Sequence, residues 1–505
     1  MKIARKLLPG PLWPILNKKD MNKKLYISIA FFIFLFSSCN VDLEKESFRA
    51  LVKDPSTSLI IYDINIIDII HGDVLQNKTI FIKGDSIFDI TESYLLEQEI
   101  DSAKLIVGTS KYIIPGLWDM HVHTNGKGSF KEMEIPRYIA YGITGIREML
   151  GDVVDLKWRD SINQGSLIGP KMRVGQFTNG FSVYTDSPQD LIITKKDKVE
   201  TTIDSLYDLG YDFIKVYDNL QEDVYKAILK KAAALDFEVS GHIPLGVKTK
   251  DAILLGQKTF EHSLGIELGS TQKEDSLRTI YRNLLSKMDS NTTMEEEIAI
   301  FRRSETDALT SVNPEKREAL FQTIKKKESW IVPTYIYQYL VSYPTSNSLI
   351  NSPEMQYLTK NQVNFSDDKE MWNPTGELEA TINYRLSYLK EMHDAGVGIL
   401  AGTDTPFGFF LHHELFLFVE NGLTPLQALQ TATINPAKYL NMTESLGTVE
   451  EGKIADLIIL NENPLDDIHN ISDINAVLLN GRLFDRDTLD NMLSEVKMAV
   501  DELNK

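Results

Sequence analysis

His121-x-His123, Lys215, His242, His262 and Asp404 follow one another along the chain, each at the carboxyl end of a short apolar run. Helix-like sequence separates each from the next. Few folds can gather polar residues spaced this way. A barrel of parallel strands does so, because every strand delivers its last side chains to the same face of the molecule. The expected fold class is therefore α/β, a TIM-like (β/α)8 barrel whose strands end near His123, Met149, Gln176, Tyr217, His242, His262, Tyr335 and Asp404. Alternation of strands with helices favours the parallel arrangement.

Helical periods run over 199–209, 223–235 and 427–431. Thr424-Pro425 and Asn435-Pro436 each place a capping side chain before a proline suited to the first helical position. From Ser58 to about Ile114 the pattern is instead short β runs and turns, such as Leu59-Ile60-Ile61-Tyr62, Thr79-Ile80-Phe81-Ile82 and Lys83-Gly84-Asp85. Similar runs return at 455–460 and 476–481. We expect a small β-sandwich built by both chain ends, 58–114 and 445–505, around a barrel over 115–444. Two stretches, from Glu267 to about Ser329 and from Gln338 to about Thr381, exceed ordinary connections and leave the catalytic ends of strands. Such insertions commonly form lids or specificity loops.

The first residues read as targeting sequence. Lys23 and Lys24 precede the apolar run 25–36, which is too short to span a bilayer and suits a signal-peptide core. Residues 1–38 are expected to be that signal, with 1–20 an upstream extension and Met21 the start. Phe36-Ser37-Ser38-Cys39 resembles a bacterial lipobox, with Phe36 where an aliphatic residue is usual. That resemblance implies cleavage before Cys39, a lipid on Cys39, a tether over 39–57 and an exported protein anchored at the outer membrane or periplasmic face. Cys39 is the only cysteine, so no intrachain disulfide forms. Residues 1–38 carry seven Lys or Arg and one Asp, so their removal takes the formal charge from −19 to −25. Nucleic acid is excluded as a partner, since phosphate binding needs concentrated positive charge. Membrane contact falls to the lipid, a small molecule is the expected substrate, and an oligomer is left open.

In a strand, alternate side chains share a face, so His121 and His123 can grip one metal ion. The spacing alone is a weak sign, because nine His in 505 residues produce it in roughly a sixth of shuffled chains. The approach Ile113-Ile114-Pro115-Gly116-Leu117-Trp118-Asp119-Met120 is more specific. Phe213, Lys215 and Tyr217 share a second face, and an amine buried there should lose basicity. The other reading of Lys215 is an ion pair with a barrel carboxylate such as Glu148, which could alternatively pair with Arg147. His242 or His262 alone would more often be structural than a ligand.

With Pro115-Gly116-x-x-Asp119-x-His121-x-His123 the chain resembles the amidohydrolase superfamily, whose members carry that motif on the first barrel strand. The resemblance runs from about Ser58 to Arg482, includes the tail from Gly447 to Asp456, and points to the prolidase-like and imidazolonepropionase-related branch. It implies two divalent ions held by His121, His123, Lys215, His242, His262 and Asp404, with carbon dioxide bound on Lys215 as a bridging carbamate. It also implies that Asp404 shuttles the proton. Imidazole with oxygen ligands suits Zn²⁺, leaving Mn²⁺, Fe²⁺ and Co²⁺ open. Tyr217 and His412 are the candidate substrate contacts.

The implied activity is hydrolysis of an amide in a dipeptide or N-acyl amino acid by hydroxide held between the metals. One alternative is a mononuclear cyclic-amide hydrolase like imidazolonepropionase, against which Lys215 speaks. Another is a non-catalytic ligand-binding surface lipoprotein, which would not need all six positions. Other motifs carry nothing. Gly447 to Lys453 has phosphate-loop spacing, but Ile454 replaces the Ser or Thr. His413-Glu414 lacks its second histidine, since Leu417 stands there. His71, His393 and His469 read as structural or solvated.

Overall fold

Short β-branched runs at the start of the chain pair into a sheet before any barrel strand appears. The computed structural model describes residues 45–94, 105–124, 129–183, 191–344, 348–365, 370 and 376–505. The expected signal and Cys39 lie outside the described residues. Strand β1 (Leu59–Ile67) pairs antiparallel with β2 (Val74–Lys83), and β2 with β3 (Ser86–Glu92). The Lys83-Gly84-Asp85 turn between them holds Gly84 at φ 61, a backbone that glycine adopts freely. Strands β4 (Leu105–Val107) and β5 (Tyr112–Pro115) both run parallel to β1.

Part of the stretch expected as a polar tether is ordered: residues 45–53 form a helix. Its Phe48 is fully buried and meets Phe81 edge-on at 5.5 Å. Leu51 and Val52 pack beside it, and the ring contributes most to the docking, because burying an aromatic removes 150–250 Å² from water.

The barrel strands follow as β6 (Leu117–Val122), β7 (Ile143–Glu148), β8 (Lys171–Asn179) with the short β9 (Leu191–Ile192) beside it, β10 (Phe213–Val216) and β11 (Glu238–Gly241). Then come β12 (Thr259–Glu261), β13 (Trp330–Val332) and β14 (Gly398–Ile399). They form two parallel arcs, β6-β7-β8-β10-β11 and β12-β13-β14. Backbone hydrogen bonds join the arcs at both seams: Lys258 N–H to Val239 O at 2.8 Å, and Met120 N–H to Ala401 O at 2.9 Å. Eight strands thus close a TIM-like ring. All residues of β6 and β7 are buried, which is why these strands read as continuous apolar runs rather than alternating ones.

Two strand ends differ from expectation. Strand β8 continues past Gln176 to Asn179, because Phe177 and Thr178 still pair with Lys215 and Val216. Strand β13 stops at Val332: Pro333 has no N–H to give, Thr334 turns at φ 51, and Tyr335 opens the helix Tyr335–Ser342.

Near the carboxyl end, β15 (Leu457–Leu460) pairs antiparallel with β5 and with β16 (Ile474–Leu479), which pairs with β17 (Arg482–Asp485). Both chain ends therefore build a single eight-stranded sheet, in place of the two separate sheets of the expected sandwich. Ile61, Ile80, Ile113, Leu457, Ile459 and Leu478 share its core.

Thr424 caps the helix Pro425–Ala432 through a capping box with Gln427, as its sequence predicts. Asn435 does not cap: the helix Ile434–Tyr439 begins one residue earlier, and the Asn435 amide donates to Ile399 O at 3.0 Å. The first long insertion folds into helices Ile266–Ser270, Glu274–Leu285 and Met294–Leu309 before Pro314–Lys326 returns to the barrel. Among the described residues, no helix is long and apolar enough to cross a membrane.

Candidate metal centre

The ends of β6, β12 and β14 place His121, His123, His262 and Asp404 together. His121 Nε2 lies 3.3 Å from His123 Nε2 and 3.2 Å from Asp404 Oδ1, and His123 Nε2 lies 2.9 Å from Asp404 Oδ1. His262 Nδ1 stands 3.7 Å from Asp404 Oδ2. Ligand atoms of His121, His262 and Asp404 all fall within 4.8 Å of one another. A tetrahedral ion with bonds near 2.0 Å keeps its ligands about 3.3 Å apart, so the donor set fits a divalent cation that accepts nitrogen and oxygen.

His242 and Lys215 complete the group. The His242 ring is 4.9 Å from that of His262 and 3.9 Å from that of Tyr217. Its Nδ1 bonds Asp218 Oδ1 at 3.1 Å, while its buried Nε2 has no hydrogen-bond partner. A buried nitrogen left over in this way is what an imidazole ligand presents before it is coordinated. Lys215 Nζ lies 5.5 Å from the Tyr217 ring centre and 5.9 Å from that of Phe177. Among the described residues no carboxylate is within ion-pair distance of it, so the alternative of a pairing with Glu148 does not hold.

Burial lowers the basicity of Lys215, although Asp404, Glu261 and Glu148 pull the other way. Burial, with the Lys215 charge next, takes His123 down to about 4. Burial also drives His242 and His262 well below the ordinary imidazole value. Burial works to raise Asp404, but His262 and His121 hold it well below the usual carboxylate range. His123, His242 and His262 are thus held as neutral imidazoles around an anionic carboxylate.

A second layer aims these groups. His121 Nδ1 donates to Glu261 Oε2 at 2.7 Å, and Glu261 Oε1 accepts from Arg147 Nη2 at 2.8 Å. Burial would raise the Glu261 carboxyl, but the Arg147 guanidinium and His121 keep it well below normal. Arg147 therefore serves Glu261 and not Glu148, which points to the opposite side of β7 and accepts from Thr124 N–H at 2.6 Å and Leu150 N–H at 2.7 Å. Asp119 of the motif accepts from Thr403 Oγ1 at 2.7 Å and Thr403 N–H at 3.0 Å, fastening β6 to the residue before Asp404. His262 is steadied by Thr334 Oγ1 at 2.6 Å.

The approach is close: a Cβ on Gly402 would stand 2.9 Å from His121 N. His262, Thr334 and Asp404 all hold positive φ, at 61, 51 and 61. Each costs about 1 kcal/mol or more for a non-glycine residue, and such strain gathers where function needs an exact side-chain direction. Glu261, Asp218 and Thr334 carry no expectation from sequence, and Arg147 was expected only as a partner of Glu148. The available signal was a charged residue inside a wholly buried strand, as Glu261 is in β12.

His412 is not at the centre. It is 2% exposed, with Nε2 2.9 Å from Tyr141 O and Nδ1 3.2 Å from Ser472 Oγ. Tyr141 precedes β7, so this contact lies toward the barrel end opposite Asp404, where helix Phe410–Glu420 packs on the outside of the fold. Burial takes its imidazole down to about 4. The fold accepts the neutral ring, so stability attached to it is whole above the unfolded value near 6.5 and is lost as pH falls toward 4. Replacing His412 by Gln is expected to remove up to about 3 kcal/mol of that acid-side loss. Unfolding midpoints at pH 7 and pH 4.5 measure this, and an unchanged pH slope would place the sensitivity elsewhere. His71, His393 and His469 face Asp68, Asp394 and Asp467 at the surface.

An open cleft rises from the centre. Tyr217, His242, His262 and Asp404 reach its floor; Leu264, Phe301, Tyr337, Val341 and Leu378 give it apolar walls. Arg302, Glu305, Gln338 and Arg385 supply its polar groups.

Comparison with known proteins agrees with this architecture. An ochratoxinase of Aspergillus niger is 39% identical over 111 residues, which are 22% of this chain and only 22% of that protein. A crystal structure of a Xaa-Pro dipeptidase with methionine in its active site superposes with a TM-score of 0.59 at 20% identity, covering 85% of this chain and 99% of that one. A bottromycin amidohydrolase gives a TM-score of 0.66 at 18% identity, covering 89% and 92%. At such identities the structural likeness speaks for the fold. The profile of the amidohydrolase family matches residues 219–484, just over half of the sequence, and the chain belongs to that family.

Proposed function

We propose that this chain is a metal-dependent amidohydrolase that cleaves an amide bond in a dipeptide or N-acyl amino acid. His121, His123, His242, His262, Asp404 and Lys215, the last as a carbamate, would hold two divalent ions. The observation that carries this reading is the meeting of imidazoles and one carboxylate at the floor of an open cleft lined by apolar walls and a few polar groups. The name of the Xaa-Pro dipeptidase relative supports the dipeptide class.

Divalent ions there supply Lewis acidity, polarising the amide carbonyl and bringing the pKa of water to about 7. The chain's own groups do the rest. Asp404 takes the proton of the attacking water and passes it to the departing nitrogen as the C–N bond breaks, leaving an acid and an amine. Lys215, poorly basic where it is buried, is suited to react as a neutral amine: its nitrogen bonds the carbon of carbon dioxide and one proton leaves. Glu261 holds the His121 tautomer, and Tyr217 at the cleft floor is placed to donate to the substrate carbonyl.

The test is a panel of dipeptides and N-acyl amino acids with Zn²⁺ and bicarbonate supplied. Turnover is expected, lost on chelation and restored by metal, with two ions per chain at full activity. Full activity at one ion per chain would favour the mononuclear cyclic-amide alternative. No turnover with two ions bound would overturn the hydrolase reading.

A further inference from the structure

A relay of hydrogen bonds leaves the metal centre and runs down the inside of the barrel. It begins where His121 Nδ1 donates to Glu261 Oε2 at 2.7 Å and Arg147 Nη2 donates to Glu261 Oε1 at 2.8 Å. From there Arg147 Nη1 donates to the Tyr439 hydroxyl at 2.8 Å, and that hydroxyl donates to Glu238 Oε1. Tyr439 is the last residue of helix Ile434–Tyr439. Glu238 opens β11, and His242 follows the other end of that strand. Four residues of strand span about 13 Å, so the relay ends toward the barrel face opposite the ligands.

Most of the relay is buried. Arg147, Glu261, Thr259 and Ser240 are fully so, and Tyr439 nearly so. The rings of Phe213 and Tyr439 lie beside the guanidinium, with centres 5.4 Å and 5.3 Å from Cζ. Two further N–H groups of Arg147 go to Met120 O at 2.7 Å and Thr259 Oγ1 at 3.2 Å. Ser240 Oγ also donates to Glu238 Oε1, at 2.7 Å.

Arg147 thus stands between two carboxylates. Glu261 takes one side of the fork directly, and Glu238 acts on the other through the Tyr439 hydroxyl. A hydroxyl that donates to a carboxylate becomes a better acceptor, so Glu238 strengthens the hold of Tyr439 on Arg147. The firmer that hold, the more of its negative charge Glu261 keeps for the His121 N–H. An imidazole whose N–H faces a stronger acceptor is a better donor at its other nitrogen.

We propose that Tyr439 is a positioning residue for the metal centre, acting with Glu238 through Arg147 and Glu261 to set how strongly His121 Nε2 binds a divalent cation. This rests on the metal-binding part of the amidohydrolase reading, and its test uses no substrate, so the two can fail separately.

The measurement is the Zn²⁺ affinity of the whole chain, by competition with a chelator at fixed bicarbonate. Tyr439→Phe keeps the ring beside Arg147 and removes only the hydroxyl; it is expected to weaken Zn²⁺ binding by about tenfold. Glu238→Gln should weaken it similarly, and the double variant by no more than Y439F alone, because both changes act through one hydroxyl. Tyr281→Phe is the control. It removes another buried hydroxyl, bonded to Asp307 Oδ2 at 2.9 Å and Arg303 O at 3.0 Å, from a helix of the first insertion. It should lower the melting temperature and leave the affinity where it was. E238Q carries the test if Y439F does not fold, since Glu238 is only partly buried. Affinity within about twofold of the parent in both relay variants, losses that multiply in the double variant, or an equal loss in Y281F would overturn the proposal. A parent that binds no Zn²⁺ would overturn it together with the metal-dependent reading. The expected losses in a protein that turns over none of the amide panel would leave the relay standing and sink the hydrolase reading alone.

Discussion

Asp404→Asn is expected to lower kcat of the metal-loaded protein by about 10³- to 10⁴-fold with the fold unchanged. The carboxylate has three neighbours to satisfy: His121 at 3.2 Å, His123 at 2.9 Å and His262 at 3.7 Å. Asparagine keeps the volume and offers one oxygen, but it cannot take up a proton or bring negative charge to the imidazoles. Nor should the backbone rebel. Asp404 sits at φ 61, and asparagine is among the few residues that enter the left-handed region readily, so the strand end and its N–H bond to His121 O survive. Alanine would confound the result by adding backbone strain to the lost chemistry. Steady-state kinetics with metal content measured on the same sample decides the matter. Activity within tenfold of the parent at full metal occupancy would take the proton shuttle away from Asp404.

Much of the ring was legible because each barrel strand ends in a residue type that sequence can flag. His123, His242, His262 and Asp404 stand within a few residues of strands ending at Val122, Gly241, Glu261 and Ile399. The lapses have local causes. Gln176 was read as a strand end, yet Phe177 and Thr178 after it stay paired and buried. Tyr335 was read as the end of an apolar run, but Pro333 and the left-handed Thr334 break it earlier. The helix over 45–53 hides in a charged stretch, since its anchors, Phe48 with Leu51 and Val52, find partners only in the folded sheet.

The site divides the same way. Ligand candidates are rare residue types at strand ends, and these were visible. Their supports are common residues whose roles depend on which barrel face they occupy. Arg147 and Glu148 are adjacent in sequence, and the pleat sends them to opposite sides: one to Glu261, the other to the Thr124 and Leu150 amides. His412 fails for the converse reason. A histidine followed by an apolar helix carries no mark of whether its ring will meet a substrate or a backbone carbonyl.

The insertions were the least legible, and their buried charges should dominate their stability. Arg385 is 1% exposed and donates to Glu267 at 3.1 Å, Glu305 at 2.6 Å and Gln338 Oε1 at 2.7 Å, tying its own helix to three others around the cleft. Arg385→Met is expected to destabilise this assembly by about 3–5 kcal/mol, because it leaves two largely buried carboxylates without their cation. Burial already raises the Glu305 carboxyl, with Arg385 opposing it. Without that cation the fold would favour the protonated acid. An acid whose folded pKa is raised costs stability as pH climbs above its unfolded value, so the deficit of the variant should widen from about pH 5 to pH 8. Unfolding of the whole chain need not be two-state at this size, so hydrogen exchange on helices Met294–Leu309 and Glu377–Asp394 is the fitting readout. Adding Glu267→Gln and Glu305→Gln to Arg385→Met should restore most of the protection and flatten its pH dependence, since amides are less costly to bury than unpaired charges. A single variant as protected as the parent at pH 8 would mean that these helices are held by their apolar contacts instead.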